Sequence, residues 1–214
     1  GRHRDREVEE VLSKIRTLGR EAVFVAGDCG IPGDCHNMVS EASEQLGGVD
    51  VLIHCAGGLV AGGLFEVSDE DWMSGFAVHV HAAFHLARAV APGMKERGEG
   101  AIVLISSTAG KLAVATHIGY QIVKGALPHM TRALARELAA DNIRVNCVAP
   151  GVIRTRFHDE MPDAQKKLNL EQRIPLKREG STDQVASLIR ELVENDYITG
   201  DTVTIDGGLT MRIC

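Results

Sequence analysis

The sequence predicts a doubly wound α/β domain built on a parallel sheet, and three observations predict it. The apolar runs Val49 to Cys55, Ala101 to Ile105 and Ile143 to Ala149 are continuous rather than alternating, as in strands buried on both faces. Helical stripes separate them, which gives strand, helix and strand in repetition and so right-handed crossovers. Each run ends in a turn of small or hydroxyl residues: Ala56-Gly57-Gly58, Ser106-Ser107 and Pro150-Gly151. Sheets of this kind bind ligands at those ends.

Taken in order, Val8, Val11, Leu12, Ile15 and Leu18 form one helical stripe, with Gly19 as its cap. Ala22 to Ala26 reads as a short strand entering Gly27-Asp28-Cys29, and a helix follows over about 34 to 46. After the Val49 strand comes a long helix from about Glu70 to Glu96, carrying Trp72, Phe76, Phe84 and Leu86. The Ala101 strand leads to a helix bearing Tyr120 and Lys124, whose stripe of Leu127, Met130, Leu134 and Leu138 is core. Residues 152 to about 181 are polar and irregular around a short helix near Asp163 to Leu170, the pattern of a lid. A last helix, Asp183 to Glu194, precedes the strand Thr202 to Ile205 and Asp206-Gly207-Gly208. No repeat or linker divides the 214 residues, so a single domain is expected.

Composition sets limits on function. A net charge of −6 argues against a general nucleic-acid or anionic-membrane surface. No apolar run reaches the length of a membrane span. Five cysteines, an odd number with no CxxC, read as buried free thiols in a reducing cytoplasm.

The chemistry concentrates between Ile105 and Lys124. Tyr120 and Lys124 are spaced i, i+4, which puts phenol and ammonium on one helix face. An ammonium held near a phenol, whose free pKa is roughly 10, is expected to draw it down into a useful acid/base range. Ser107, delivered from the strand end, could hold a substrate oxygen meanwhile. Tyr-x-x-x-Lys alone is a weak signal, but a hydroxyl after a buried strand strengthens it.

With these motifs in order along the whole chain, the sequence resembles the short-chain dehydrogenase/reductases, NAD(P)-dependent oxidoreductases on a Rossmann-type sheet. The closing ITGDTVTIDGG is most similar to the 3-oxoacyl-carrier-protein reductase and glucose-dehydrogenase-like branch. The resemblance implies Ser107, Tyr120 and Lys124 as catalytic residues in ketone and alcohol interconversion. It places Asp28, with Cys29 beside it, at the adenine, and His54, Ala56 and Gly57 in the turn against the cofactor. Pro150, Gly151, Ile153 and Thr155 match the stretch that contacts the nicotinamide carboxamide. A homo-oligomer, a tetramer, is also implied, and a second apolar stripe of Ala82, Phe84, Ala87 and Val90 agrees with it.

Several positions depart from the family. His54 and Cys55 replace its paired asparagines, and His79 replaces the helix asparagine that supports a water relay to the lysine. His79 can donate and accept, so it either keeps the relay or is structural. His81 and His85 share helical geometry, yet nothing is placed to complete a metal site. Pro128 removes a helix hydrogen bond to the Lys124 carbonyl, which either tunes the site or is merely tolerated. The family's opening strand, Gly-rich pyrophosphate turn and second strand, roughly 35 residues, do not occur in this sequence. Gly1 then falls at the end of the second strand, and Arg2 just after it favours NADP over NAD by facing the 2′-phosphate. Two other classes stay open: a nucleotide-binding protein without turnover, and a Ser/Lys hydrolase, which would lack the usual Gly-x-Ser-x-Gly elbow.

Overall fold

A computed structural model of the 214-residue chain describes residues 1–114, 117–158 and 161–211. Four parallel strands form the sheet in the order β1 (Val51–His54), β2 (Gly100–Ile105), β3 (Ile143–Pro150) and β4 (Thr202–Ile205). Their register pairs Ile102 with Val145 and Leu104 with Cys147. Strand alternation therefore divides the core in two. Ile102, Leu104, Val145 and Cys147 face α4 (Ala82–Arg97) and α5 (Ile118–Leu138), while Val103 and Val148 face α7 (Thr182–Glu194). Helices thus cover both faces of β2 and β3, as continuous apolar runs require, but the expected burial of both faces fails in β1, where Val51 and Ile53 are exposed because α7 packs only on β2 and β3.

The other helices follow their caps. Asp5 accepts from Val8 N–H at the start of α1 (Arg6–Thr17), and Ser181 closes a capping box with Gln184 on α7. Pro32 sits in the first turn of α2 (Pro32–Leu46), where no intrahelical donor is lost. The long helix expected from Glu70 is really α3 (Asp69–Phe76), a π turn at Ala77–His81 and then α4. Within residues 152–181, α6 (Asp163–Leu168) runs into a second π turn, Asn169–Arg173, and Ile153 and Gly180 form a bridge at the base of the segment.

Three further expectations are corrected. Residues 22–26 form no strand, because among the described residues no strand lies beside them to complete a ladder. Gly1 brackets the segment instead, through its amino group to Val25 O and its carbonyl to Gly27 N–H. The thiols are not uniformly buried: Cys35 and Cys147 are, Cys29 is half-buried and Cys55 is exposed, while Cys214 lies outside the described residues. Of the proposed second stripe, Ala82, Ala87 and Val90 are already in the core; only Phe84, 44% exposed beneath Arg88, is open.

Gly110 shows how tightly the turn after β2 lies on α5. A Cβ there would stand 2.6 Å from the Lys124 carbonyl carbon, a backbone atom that cannot swing away. Gly110→Ala should therefore lower stability by about 1–3 kcal/mol in thermal or denaturant unfolding. Gly33→Ala, with nothing within 4 Å, should leave it unchanged or raise it.

Candidate active site

Two consecutive residues at the end of β2 are bonded to α5. The Ile105 carbonyl accepts from Lys124 Nζ at 2.8 Å and Ser106 Oγ donates to the Lys124 carbonyl at 2.6 Å, while the Ser107 hydroxyl, next along, acts to lower the proton affinity of Tyr120. Sequence reading singled out Ser107 and missed Ser106. The helix itself starts from His117 in a left-handed conformation, φ 60°, with Ile118 N–H given to Gly62 O. Gly119 lets Val60 approach the helix, and Tyr120 follows directly. The Tyr120 ring meets Phe157 at 5.8 Å and the His79 ring edge-on at 6.2 Å. Phe157, on the short turn Arg156–His158, had no signal in the sequence.

Burial governs the proton affinities. It pushes Lys124 down to about 8, with the neighbouring Cys147 and Cys55 thiols opposing weakly. Burial raises the Tyr120 phenol, and the Ser107 hydrogen bond only partly offsets it. The expected lowering of the phenol by Lys124 is thus reversed. The ammonium lies 5.8 Å from the ring centroid, spends a donor on Ile105 O, and has itself lost much of its preference for charge.

The two histidines at the departures lace strand to helix. His54 Nε2 donates to Val78 O at 3.1 Å, and His79 Nε2 lies 2.9 Å from Gly58 O and 3.3 Å from Gly58 N, so each ring is tied to the backbone of the other's segment. The π turn explains the first bond, because Ala82 N–H goes to Ala77 O rather than to Val78 O. His79 packs so closely on Gly57, φ 148°, that a Cβ there would sit 2.1 Å from its ring. Its Nδ1 is buried without a hydrogen-bond partner, and burial drives its pKa down to about 4. Among the described residues no three His, Cys, Asp or Glu side chains gather as a metal site.

A cavity of 430 Å³ runs from the adenosine-end candidates to the turn after β1, and Arg2, Asp28, Cys29, Ala56, Gly57 and His79 all line it. The size suits part of a dinucleotide. Asp28 accepts from Gly30 N–H at 2.8 Å, which holds its carboxyl below the usual range, and it pairs with Arg2 at 3.0 Å. Two residues expected to hold separate parts of one cofactor are therefore in contact with each other. Pro150 and Gly151 end β3, where a Cβ on Gly151 would meet Asp206 at 2.7 Å; Ile153 is buried and Thr155 Oγ1 donates to its carbonyl at 3.4 Å. The cavity beside Asp28 fits an adenine ring. No pyrophosphate-binding glycine turn occurs among the described residues.

Fold and site together define a Rossmann-like parallel α/β oxidoreductase with a serine, a tyrosine and a lysine at one strand end. Residues 2–210 match a family model described as enoyl-(acyl carrier protein) reductase. The chain is 34% identical over 215 residues to dehydrogenase/reductase SDR family member 4 of Pongo abelii, across 97% of this chain and 77% of that protein. L-sorbose reductase of Gluconobacter frateurii, solved with NADPH and L-sorbose, superposes with a TM-score of 0.89 at 31% identity, over 99% of this chain and 86% of that one. Gluconate 5-dehydrogenase of Burkholderia cenocepacia, solved with NADP and tartrate, gives 0.91 at 27%, over 99% and 85%. The chain belongs to the short-chain dehydrogenase/reductase family.

His79 makes stability acid-sensitive. Its folded pKa, about 4, lies below the ordinary 6.5, so the unfolded chain binds the proton more readily. The contribution is whole above pH 6.5 and is lost as pH falls towards 4, on the order of 3 kcal/mol. Unfolding of the parent and His79→Asn should converge in relative stability over that window; parallel curves would show that the ring does not titrate there.

Proposed function

We propose that the chain interconverts a ketone and a secondary alcohol at Tyr120, that its ketones are of the 3-oxoacyl type, and that it uses NADP in preference to NAD. The observation that supports this is the double attachment of the end of β2 to Lys124, beside Ser107 and one helical turn from Tyr120. The nicotinamide cofactor, when bound, supplies or takes up the hydride. In reduction Ser107 holds the carbonyl oxygen by its O–H and Tyr120 gives that oxygen a proton. Lys124 keeps two N–H groups beyond the one given to Ile105, and these hold the nicotinamide ribose. Asp28 takes the adenine, Arg2 the 2′-phosphate, and Gly151, Ile153 and Thr155 the carboxamide. Residues 152–181 act as the lid.

An apolar rim supports an acyl substrate. Phe157 flanks Tyr120, and Gln121 bonds both the N–H and the carbonyl of Val114, holding that exposed side chain next to the tyrosine's turn. Leu112, 47% exposed, belongs to the same loop. Such a rim suits an alkyl chain better than a polyhydroxy ketone. The family model's description also names an acyl carrier protein. A cytoplasmic homotetramer belongs to the same proposal by family likeness; no helix among the described residues is long and apolar enough to cross a membrane. The second reading, nucleotide binding without turnover, is favoured by His54 and His79 at the asparagine positions.

With NADPH, Tyr120→Phe should reduce 3-oxoesters at least roughly 10²–10⁴-fold more slowly while still binding cofactor. Reduction at the parent rate would remove Tyr120 from the reaction, and a parent that binds NADPH without reducing any ketone would establish the second reading. For cofactor choice, Arg2→Asp should weaken NADP binding by about 1.5–3 kcal/mol and NAD binding less. Equal losses, measured by titration calorimetry, would make Arg2 a structural partner of Asp28.

A further inference from the structure

Pro128 lies inside α5, which continues as helix on either side of it. Having no N–H, it cannot supply the hydrogen bond that residue 128 of an α-helix gives to the carbonyl four residues back. That carbonyl is Lys124's. Lys124 is buried, so water is a poor substitute, and a bare buried carbonyl is costly. Pro92 of α4 poses the same problem at Arg88, but both residues are exposed there and solvent can serve. Within α5 the missing donor comes from another element. Ser106, 2% exposed, gives its hydroxyl proton to the Lys124 carbonyl at 2.6 Å, while its own N–H continues the sheet by bonding Val148 O at 2.8 Å.

We propose that Ser106 and Pro128 are two halves of one positioning device for Lys124. Pro128 empties the Lys124 carbonyl of its helical donor, and Ser106 fills it from the end of β2. Lys124 is then fixed at both ends to adjacent residues, its carbonyl to Ser106 and its Nζ to Ile105 O. Backbone and side-chain tip are thus both held to the end of β2. An ordinary residue at 128 would leave Lys124 satisfied within its own helix, and the tie to β2 would be optional. Neither Ser106 nor Pro128 touches the reacting atoms; both act through Lys124. The proposal rests on reading Lys124 as the lysine of the reaction site.

The test is a double-mutant cycle of Ser106→Ala and Pro128→Ala in the full chain, followed by two measurements that need no turnover. The first is the thermal midpoint. Ser106→Ala alone should lower it by about 2–10 °C, since it bares a buried carbonyl. In the Pro128→Ala background, where residue 128 again has an N–H to give, the same change should cost less than half as much. The second is the pH at which Lys124 becomes reactive to acetic anhydride, read by peptide mass. Ser106→Ala should move that midpoint by at least half a unit, and adding Pro128→Ala should move it back. Equal costs of Ser106→Ala in both backgrounds would overturn the coupling. A lowered thermal midpoint with an unmoved Lys124 midpoint would overturn the positioning role and leave Ser106 as packing only. If Ser106→Ala does not fold, recovery of folded protein in the double variant supports the device, and its failure to recover counts against it. Absence of ketone reduction by the parent would instead sink the reading of the reaction and leave both measurements standing.

Discussion

A carbonyl that loses its helical donor inside a protein must be given another, and the site is organised around two places where this happens. On the α3–α4 helix the π turn diverts Ala82 N–H to Ala77 O, and His54 at the end of β1 supplies Val78 O. On α5 the proline at 128 withholds its donor, and Ser106 at the end of β2 supplies Lys124 O. Both remedies come from strand ends. The two helices are thereby tied to the carboxyl edge of the sheet at the level where a ligand would lie, and their register against the strands is set by directional bonds as well as by the apolar cores beneath.

Close approach does the remaining work of alignment. Gly57 accepts the His79 ring, Gly119 accepts Val60, and Gly110 lies against the Lys124 backbone. Each contact removes a degree of freedom from a segment that carries a candidate residue. Gly57 stands in a turn that the sequence marked, whereas Gly110 and Gly119 carried no such mark, and which neighbour each one admits is a tertiary matter. The core behind them, with Ile102, Leu104, Val145 and Cys147 fully buried, is rigid enough to make such distances meaningful.

The sheet, its parallel order and the helices on both faces were legible because continuous apolar runs and 3.6-residue stripes report burial directly. Ser107, Tyr120 and Lys124 were legible through spacing and through the order of the family's motifs. What was not legible depended on partners distant in sequence. Ala22 to Ala26 has the composition of a strand, yet a strand exists only where another lies alongside. The lowering of the Tyr120 phenol by Lys124 followed from i, i+4 geometry alone, whereas the outcome depends on burial and on where Nζ spends its hydrogen bonds. Ser106 was hidden beside a more obvious serine, although the signal for it was present in Pro128: a proline within a continuous helical stripe frees one named carbonyl, and a buried carbonyl asks for a donor nearby.

The proton affinities also bear on direction. Burial raises the phenol and lowers the ammonium, because it penalises the charged form of each. The resting pair is therefore a protonated tyrosine beside a lysine that titrates near 8, rather than a phenolate beside a fixed ammonium. A protonated phenol already within reach of Ser107 is an acid ready to give its proton to a carbonyl oxygen. Taking a proton from an alcohol would first require ionising that phenol against the desolvation that protects it, which higher pH makes easier for Tyr120 while also neutralising Lys124. In the proposed reaction Tyr120 thus enters reduction already carrying the proton it gives, as a weaker acid than a free phenol, and both shifts follow from burial, not from the identity of any one charged neighbour.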